Sequence, residues 1–247
     1  MISPGAIAFT LFGLDIRWYG ILIAMGAAIG LYICCHRAPK HGLKSDDILD
    51  ITLWSLPLGI VGARLYYVVF EWEFYQNDLS SIFNIRNGGL AIHGGLLFGL
   101  ITAYIVCRKK NISFLEVSDL FFPAIALAQS IGRWGNFFNN EAYGTSTNLP
   151  WAIIVNGNHV HPTFLYESVW CLFIFLILLY IDNRRTFRGQ TTCLYGMLYA
   201  PERFLVESLR TDSLMIGPFR QAQVISVFIF VLCFLLYFYF RKKTQKN

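Results

Sequence analysis

Long runs of apolar residues, separated by short polar segments, recur along the whole chain. A helix that crosses a bilayer needs about 20 consecutive, mostly apolar residues, and seven runs come close to that length. They lie at about residues 17 to 36, 48 to 70, 88 to 107, 114 to 131, 162 to 181, 190 to 208 and 221 to 240. The pattern therefore predicts an all-α polytopic membrane protein with about seven transmembrane helices.

One connection differs from the others because it is long and mixes polar residues with a short apolar run. Residues 144 to 160 place Asn, Thr, Gly and Pro around the run WAIIV, which is typical of a strand or two joined by turns. We expect a small extracytoplasmic cap at about residues 140 to 160. Because the cap is too short to be a separate domain, residues 1–247 are predicted to form a single integral-membrane domain.

Composition and charge support this interpretation. The chain is 55% hydrophobic and 14% charged, whereas soluble proteins are about 25% charged. Four alternate connections, HRAPKHGLK, RKKN, DNRRTFR and RKKTQKN, hold 13 of the 20 Lys and Arg residues. The positive-inside rule then predicts a cytoplasmic C-terminus and an N-terminus outside. The net charge of +5 is a topology signal, and we expect no nucleic-acid partner.

Charged and titratable side chains inside the apolar runs are the first candidates for chemistry, because each charge costs at least about 2.5–3.5 kcal/mol at the centre of a membrane helix. They are Arg64, His93, Asp119, Arg133, Glu167, Glu202, Arg203 and Glu207. Asp119, its neighbour Glu116, and Arg64 lie near predicted helix ends. Solvation at the membrane interface explains these three as well as function does.

Two arginines offer a site for an anion. Arg203 and Glu207 are four residues apart, so they share a helix face; they either form a self-neutralising ion pair or Glu207 aims the guanidinium of Arg203 at a ligand. Arg133 lies where an apolar run meets the segment GRWGNFFNNEAYG. Two guanidinium groups from segments that both end on the outer side of the membrane could bind one phosphate.

His93 lies in the glycine-rich run GGLAIHGGLLFG. A lone histidine in an apolar helix is more often a packing residue, but histidine is also the side chain best suited to proton transfer near neutral pH. Tyr19, Tyr166 and Tyr199 are as well explained by interface packing as by function.

Common zinc-binding and hydrolase motifs are missing from the sequence. It contains no HExxH and no GxSxG, and the group Cys34, Cys35, His36 and His41 matches no zinc spacing. We expect no metal and no cofactor. Transfer of a group away from a phosphate needs only arginines, a base and a nucleophile, and this chemistry remains open.

The segment GRWGNFFNNEAYG, residues 132–144, resembles the signature of the prolipoprotein diacylglyceryl transferase family throughout its length. RWYG, GARLYYV, GGLAIHGGLLFG, HPTFLYES, RFLVESLRTDS and QAQVIS agree with the family in order and spacing. The resemblance covers nearly the whole chain and implies the same seven-span topology in the bacterial cytoplasmic (inner) membrane.

The resemblance implies transfer of the diacylglyceryl group of phosphatidylglycerol to the lipobox cysteine of a prolipoprotein, with membrane lipid and signal peptides as partners. It implies head-group binding by Arg133 and Arg203, and thiol deprotonation by His93 or Tyr19. It also implies further binding residues, which are Asn136, Asn139, Glu141, Gly144, Glu167, Tyr199, Glu207 and Arg210.

One segment departs from the family pattern, since YAPER stands where many members have YGxxR. Pro201 and Glu202 thus lie inside a predicted span. Two rival functions stay open: a lipid transporter that uses the same arginines without chemistry, and a structural membrane subunit. An internal repeat, typical of many transporters, is not visible.

Overall fold

The computed structural model describes residues 1–85 and 88–246. It divides the chain into two compact units. The first contains Met1–Cys34 together with the chain from Ser118 onward, and the second is Cys35–Val117. The single-domain organisation stays a prediction.

Within the described residues, seven helices of 18 residues or more coincide with the seven predicted runs. The helices are α1 (Trp18–Arg37), α2 (Ser45–Phe70), the short α3 (Trp72–Tyr75), α4 (Ile92–Lys109), α5 (Phe114–Asn139), α6 (Thr163–Asp182), α7 (Gln190–Leu209) and α8 (Gln221–Lys246). Five of them, α1, α2, α5, α6 and α8, are long and apolar enough to cross a membrane. The chain is thus mostly helical with several candidate spans.

Three helix boundaries differ from the predicted ones by four residues or more, and one of them is the end of α8 at Lys246, past the predicted residue 240. Helix α5 continues to Asn139, past the predicted end near residue 131, because the residues after Arg133 pack on other parts of the first unit. Helix α4 begins at Ile92, after the predicted residue 88, because Gly88 and Gly89 have positive φ angles of 90° and 76°, which a helix does not allow.

Three short hairpins lie in the first unit, one before α1 and two between helices. The strands β3 (Ile153–Val155) and β4 (Asn158–Val160) form the antiparallel pair expected between residues 144 and 160. The pairs β1 (Ile7–Leu11) with β2 (Leu14–Arg17), and β5 (Met215–Ile216) with β6 (Phe219–Arg220), were not predicted. Gly13 and Gly217, at positive φ, lie in their turns.

Helices α5 and α6 are joined by a reciprocal pair of serine hydrogen bonds. Ser130 Oγ donates to the backbone carbonyl of Ser168 at 2.8 Å, and Ser168 Oγ donates to the carbonyl of Ser130 at 2.8 Å. Trp134 Nε1 also donates to Ser168 Oγ at 3.1 Å. Small hydroxylated residues let two helix backbones approach closely, so this contact fixes α5 against α6 one turn from Arg133.

The start of α7 is held by a carboxylate from another helix. Asp119 of α5 is fully buried and accepts hydrogen bonds from the backbone N–H groups of Gly189 (2.6 Å) and Thr192 (2.8 Å). Arg185 Nη1 lies 3.3 Å from the same carboxylate. Asp119 therefore satisfies N–H groups that the first turn of a helix leaves free, and the interfacial interpretation is wrong for this residue. Glu116 is buried as well.

In the second unit, α2 and α4 cross at glycines. A Cβ atom on Gly94 would lie 2.3 Å from the backbone oxygen of Gly62, and one on Gly62 would lie 2.3 Å from the ring of Phe98. Side chains at these positions would push the helices apart, so glycine is required for the crossing.

Arg64 orders the chain that follows α2. It is buried, and its guanidinium donates to five backbone carbonyls, those of Ser81, Ile82, Asn84, Gly88 and Gly89, at 2.7–3.2 Å. Its charge also lies 5.0 Å from the ring centre of Tyr75. Of the two explanations left open for Arg64, solvation at the membrane interface does not hold, because the carbonyls of its own unit replace solvent.

The glycine crossing makes a testable prediction for stability. Gly94→Ala should lower the melting temperature of the detergent-purified protein, because the new methyl group meets backbone atoms. The matched control is Gly99→Ala on the same helix, where a Cβ would have its nearest contact at 3.8 Å. Alanine is the better helix former by about 1 kcal/mol, so the control should be neutral or stabilising. Equal melting temperatures for both variants would contradict the crossing.

Candidate active site

The centre of the site is the carboxylate of Glu167, whose side chain on α6 is fully buried. Arg133 Nη2 from α5 and Arg203 Nη1 from α7 each lie 3.1 Å from the same oxygen, Oε1. Three helices thus contribute one charged side chain each to one point. A buried carboxylate needs such partners, because an unpaired charge in an apolar interior is very costly.

Arg203 has a second partner on its own helix. Its Nη2 atom lies 2.7 Å from Glu207 Oε2, so the intrahelical ion pair expected from their spacing is present. Both ends of the Arg203 fork are therefore held, one by Glu167 and one by Glu207. Pro201 lies inside α7, and the helix runs without interruption from Gln190 to Leu209.

Tyr199 joins the cluster from the turn before Arg203. Arg133 Nη2 lies 3.4 Å from the Tyr199 hydroxyl, and the Tyr199 ring stacks on Tyr195 with ring centres 5.6 Å apart. The hydroxyl of Tyr195 donates to Gln129 Oε1 at 2.7 Å. Tyr199 is thus fixed by packing and is in reach of Arg133 despite the altered residues after it.

The end of α5 forms a second polar group. Asn136 Nδ2 donates to Glu141 Oε1 at 2.9 Å, and Asn139 Nδ2 donates to the same oxygen at 3.3 Å. Asn140 and Ala142 have positive φ angles of 52° and 57°, which turn the chain back at the helix end. The predicted residues Asn136, Asn139 and Glu141 are therefore brought together, with Glu141 exposed at the surface.

Gly144 is needed for close packing. Its N–H donates to the His161 carbonyl at 3.0 Å, and a Cβ atom there would lie 2.7 Å from His161 Cβ and 3.1 Å from the Leu209 carbonyl oxygen. No side chain fits without displacement. Gly144 thus attaches the signature segment to the end of α7, where Arg203 and Glu207 lie.

Arg210, just after α7, is engaged by its own loop. Its Nε and Nη2 atoms donate to the two oxygens of Asp212 at 2.9 and 2.7 Å. These hydrogen bonds hold the pKa of the Asp212 carboxyl below its ordinary value. The guanidinium fork of Arg210 faces a carboxylate, and its predicted binding role stays a prediction.

Tyr19, at the start of α1, lies against the signature helix. A Cβ on Gly135 would be 2.1 Å from the Tyr19 ring, so the ring occupies the space that only a glycine leaves. Gly135 was not singled out by sequence reasoning, although its place between Arg133 and Asn136 was a signal.

His93 belongs to the second unit, in the first turn of α4. Its ring is exposed and lies 6.2 Å from the ring of Tyr66, centre to centre. A histidine that served only to fill a packed interior would be buried. Its exposure agrees with a side chain that is open to a substrate or to lipid.

A polar group near β4 was given no role by sequence reasoning. The Tyr166 hydroxyl accepts from Trp151 Nε1 at 3.0 Å and lies 3.2 Å from His161 Nδ1. All three residues are in or near the predicted cap, and HPTFLYES contains two of them. Because the partner Trp151 lies outside this segment, spacing could not reveal the contact.

The site combines paired charges with limited access. The side chains of Arg133 and Arg203 are 21% and 18% exposed, whereas that of Glu167 is 0% exposed. The carboxylate therefore lies behind the arginines, which keep part of their surface open. Such an arrangement can present positive charge to an anion without moving the buried acid.

The fold and the site define a helical membrane protein with a buried cluster of paired charges. A family model for prolipoprotein diacylglyceryl transferase matches residues 6–239. The chain belongs to the prolipoprotein diacylglyceryl transferase family.

Individual relatives agree over almost their full lengths. The chain is 52% identical to the phosphatidylglycerol–prolipoprotein diacylglyceryl transferase of Finegoldia magna, with 98% of each protein covered. It is 50% identical to the enzyme of the same name from Clostridioides difficile, with 98% of this chain and 97% of the relative covered. The enzyme of that name from Clostridium kluyveri is 46% identical over 97% of this chain and 98% of its own length.

The carboxylate of Glu167, which Arg133 and Arg203 share, leads to a prediction about stability. Glu167→Gln should destabilise the protein by about 3 kcal/mol or more, because two arginines lose their buried partner. The control is Asp212→Asn, which removes the partner of Arg210 at a site where the acid is 49% exposed; such a pair contributes about 1 kcal/mol or less. Denaturant or thermal unfolding in detergent measures both. A smaller loss for Glu167→Gln than for Asp212→Asn would refute the central role of Glu167.

Proposed function

We propose that the protein transfers the sn-1,2-diacylglyceryl group from phosphatidylglycerol to the lipobox cysteine thiol of prolipoproteins. The products are a thioether and glycerol 1-phosphate. The observation that carries the proposal is the convergence of Arg133 and Arg203 on one oxygen of buried Glu167. The names and near-complete coverage of the relatives support the same reaction.

The topology follows from the positions of the basic connections. We propose seven crossings of the cytoplasmic (inner) membrane, with the N-terminus outside and the C-terminus in the cytoplasm. The signature segment and the hairpin β3–β4 then form an outward-facing cap. The ends of α5 and α7 that carry Arg133 and Arg203 face the same side, where the cysteine of an exported prolipoprotein becomes accessible.

The two arginines bind the phosphate of the lipid in this mechanism. The thiolate attacks the carbon of the diacylated glycerol that carries the phosphate. A C–S bond forms there, and the bond from that carbon to the phosphate oxygen breaks. Negative charge builds up on the phosphate as it leaves. Fixed guanidinium groups in a site of low dielectric stabilise that charge without reorganisation, while Glu167 and Glu207 keep both forks in place. Tyr199, close to Arg133, completes the binding surface.

The thiol must lose its proton, since the thiolate is the nucleophile and a free cysteine has a pKa of about 8.5. We propose His93 as the base, with Tyr19 as the alternative. A neutral imidazole accepts a proton near neutral pH, and the His93 ring is exposed. The alternative, Tyr19, is supported by the contact of its ring with Gly135 in the signature segment.

Asn136, Asn139, Glu141 and Gly144 position the signature segment. The two amides that converge on Glu141 leave further hydrogen-bonding capacity for a head group, and Gly144 ties the segment to α7. The same residues would serve a lipid transporter, which differs by releasing the lipid unchanged. The decisive evidence is therefore a covalent product.

Arg133→Lys tests both the reaction and the role of the guanidinium. Purified protein, phosphatidylglycerol vesicles and a lipobox peptide should give a diacylglyceryl mass increase on the cysteine by mass spectrometry. We expect at least a 100-fold lower rate for Arg133→Lys, because an ammonium cannot contact Glu167, Tyr199 and a phosphate in the geometry of the planar fork.

The matched control is Arg184→Lys, since Arg184 is exposed and stacks on the Tyr180 ring at 4.0 Å. It should transfer at the rate of the unchanged protein. Lipid movement without a modified peptide would favour the transporter. Transfer at a normal rate by Arg133→Lys would remove Arg133 from the phosphate site.

His93→Gln tests the base. Thiol alkylation should fall at least 100-fold, as expected for the loss of a proton acceptor, while phosphatidylglycerol binding is kept. The control is His159→Gln, which changes an exposed histidine in β4. A rate deficit of His93→Gln relative to the unchanged enzyme that shrinks as the pH rises, because the thiol then ionises by itself, would support the assignment. Normal turnover at neutral pH would shift the role to Tyr19.

A further inference from the structure

Glu202 is a buried acid that the mechanism above does not use. It lies in α7 immediately before Arg203 and is 7% exposed. Among the described residues, neither of its carboxylate oxygens has a hydrogen-bond partner. Glu167 and Glu207, by contrast, both have arginines at 2.7–3.1 Å.

The surroundings of Glu202 contain both signs of charge. It interacts electrostatically with Arg133 of α5, Glu167 of α6 and its neighbour Arg203, and with the Cys171 thiol of α6. It also lies three residues after Tyr199, so the two share a face of α7.

An ionised Glu202 would be expensive at this position. A buried carboxylate without a donor loses its hydration and gains no hydrogen bond in return, and the negative charge of Glu167 adds repulsion. The two nearby arginines are already engaged by Glu167 and Glu207. The neutral acid avoids these costs and carries an O–H group that can be donated.

A count of charges shows what this proton could do. Arg133 and Arg203 bring two positive charges, and Glu167 and Glu207 bring two negative ones, so the cluster is neutral when Glu202 is protonated. A phosphodiester brings one negative charge. Breaking the C–O bond develops a second negative charge on the phosphate, while Arg133 and Arg203 are already paired with Glu167 and Glu207 and Arg210 is paired with Asp212.

We propose that Glu202 is a catalytic acid that donates its proton to the phosphate as it leaves. The assignment rests on the proposed transfer reaction. The base takes the thiol proton, the C–S bond forms, the C–O bond breaks, and the proton of Glu202 moves to a phosphate oxygen. The proton held by the base then returns to Glu202, so the thiol proton is balanced by the one that departs with glycerol 1-phosphate.

The test is Glu202→Gln, which keeps the shape and neutrality of the side chain but removes the transferable proton. We expect kcat to fall about 100-fold, within the range for a general acid, with KM for phosphatidylglycerol changed less than threefold. Glu73→Gln, the same substitution at an exposed residue of α3, should leave kcat unchanged.

The pH dependence separates an acid from a packing residue. The unchanged enzyme should lose activity at high pH, where Glu202 ionises, and at low pH, where the base is protonated. Glu202→Gln should keep the fall at low pH and lose the fall at high pH. The titratable groups that interact with Glu202 are Glu167, Cys171, Arg133 and Arg203. Tyr199 lies three residues earlier on the same helix, and all five remain in the variant.

Glu202→Asp provides a second measurement that does not depend on the Gln variant being folded. It keeps an acid on a shorter side chain, so it should retain the fall at high pH with a lower kcat. Equal kcat and pH profiles for the unchanged enzyme and Glu202→Gln, or loss of the fall at high pH in Glu202→Asp, would overturn the assignment. These results presuppose that the unchanged enzyme modifies the peptide, so they are distinct from a failure of the transfer reaction itself.

Discussion

One buried oxygen, Oε1 of Glu167, holds the first unit's site together. Arg133 and Arg203 are 70 residues apart in the chain, and each lies 3.1 Å from this atom. Without the acid, two guanidinium groups would repel each other in an environment that screens charge poorly. The carboxylate therefore makes it possible to keep two cations side by side before any substrate is present. The packing of α5, α6 and α7 must bring the three side chains together.

That placement depends on polar contacts as much as on apolar packing, because lipid supplies no hydrophobic force between helices. The serine pair fixes α5 on α6, and Asp119 fixes α5 on the start of α7. Both contacts satisfy groups that could not reach water. The same principle applies in the second unit, where the Arg64 guanidinium donates hydrogen bonds to five backbone carbonyls after α2. Within the first unit, the serine pair and Asp119 thus hold the three helices that carry Arg133, Glu167 and Arg203.

The sequence predicted the helices well because length and hydropathy alone decide them. It also placed the arginines of the signature and of α7 in one site. It could not show that Arg133 and Arg203 share one acid, since spacing reports only neighbours on the same helix, such as Arg203 and Glu207. The roles of Asp119 and Arg64 were left open for a related reason: both lie near helix ends, and only the fold shows that backbone groups, not water, are their partners. The hairpins β1–β2 and β5–β6 were missed because their apolar residues continue into the adjoining helices.

The position of Glu167 behind the arginines has a consequence for how substrate enters. A phosphate that had to displace the carboxylate would force a buried negative charge to move without a partner, which costs several kcal/mol. Because the arginine side chains are 21% and 18% exposed while Glu167 is not, the phosphate can contact their open edges and leave the ion pairs intact. In the proposed reaction, binding then adds a negative charge to a cluster that is neutral when Glu202 is protonated. The additional charge of the leaving phosphate is what the site would have to neutralise. A site built in this way favours the transition state over the bound lipid.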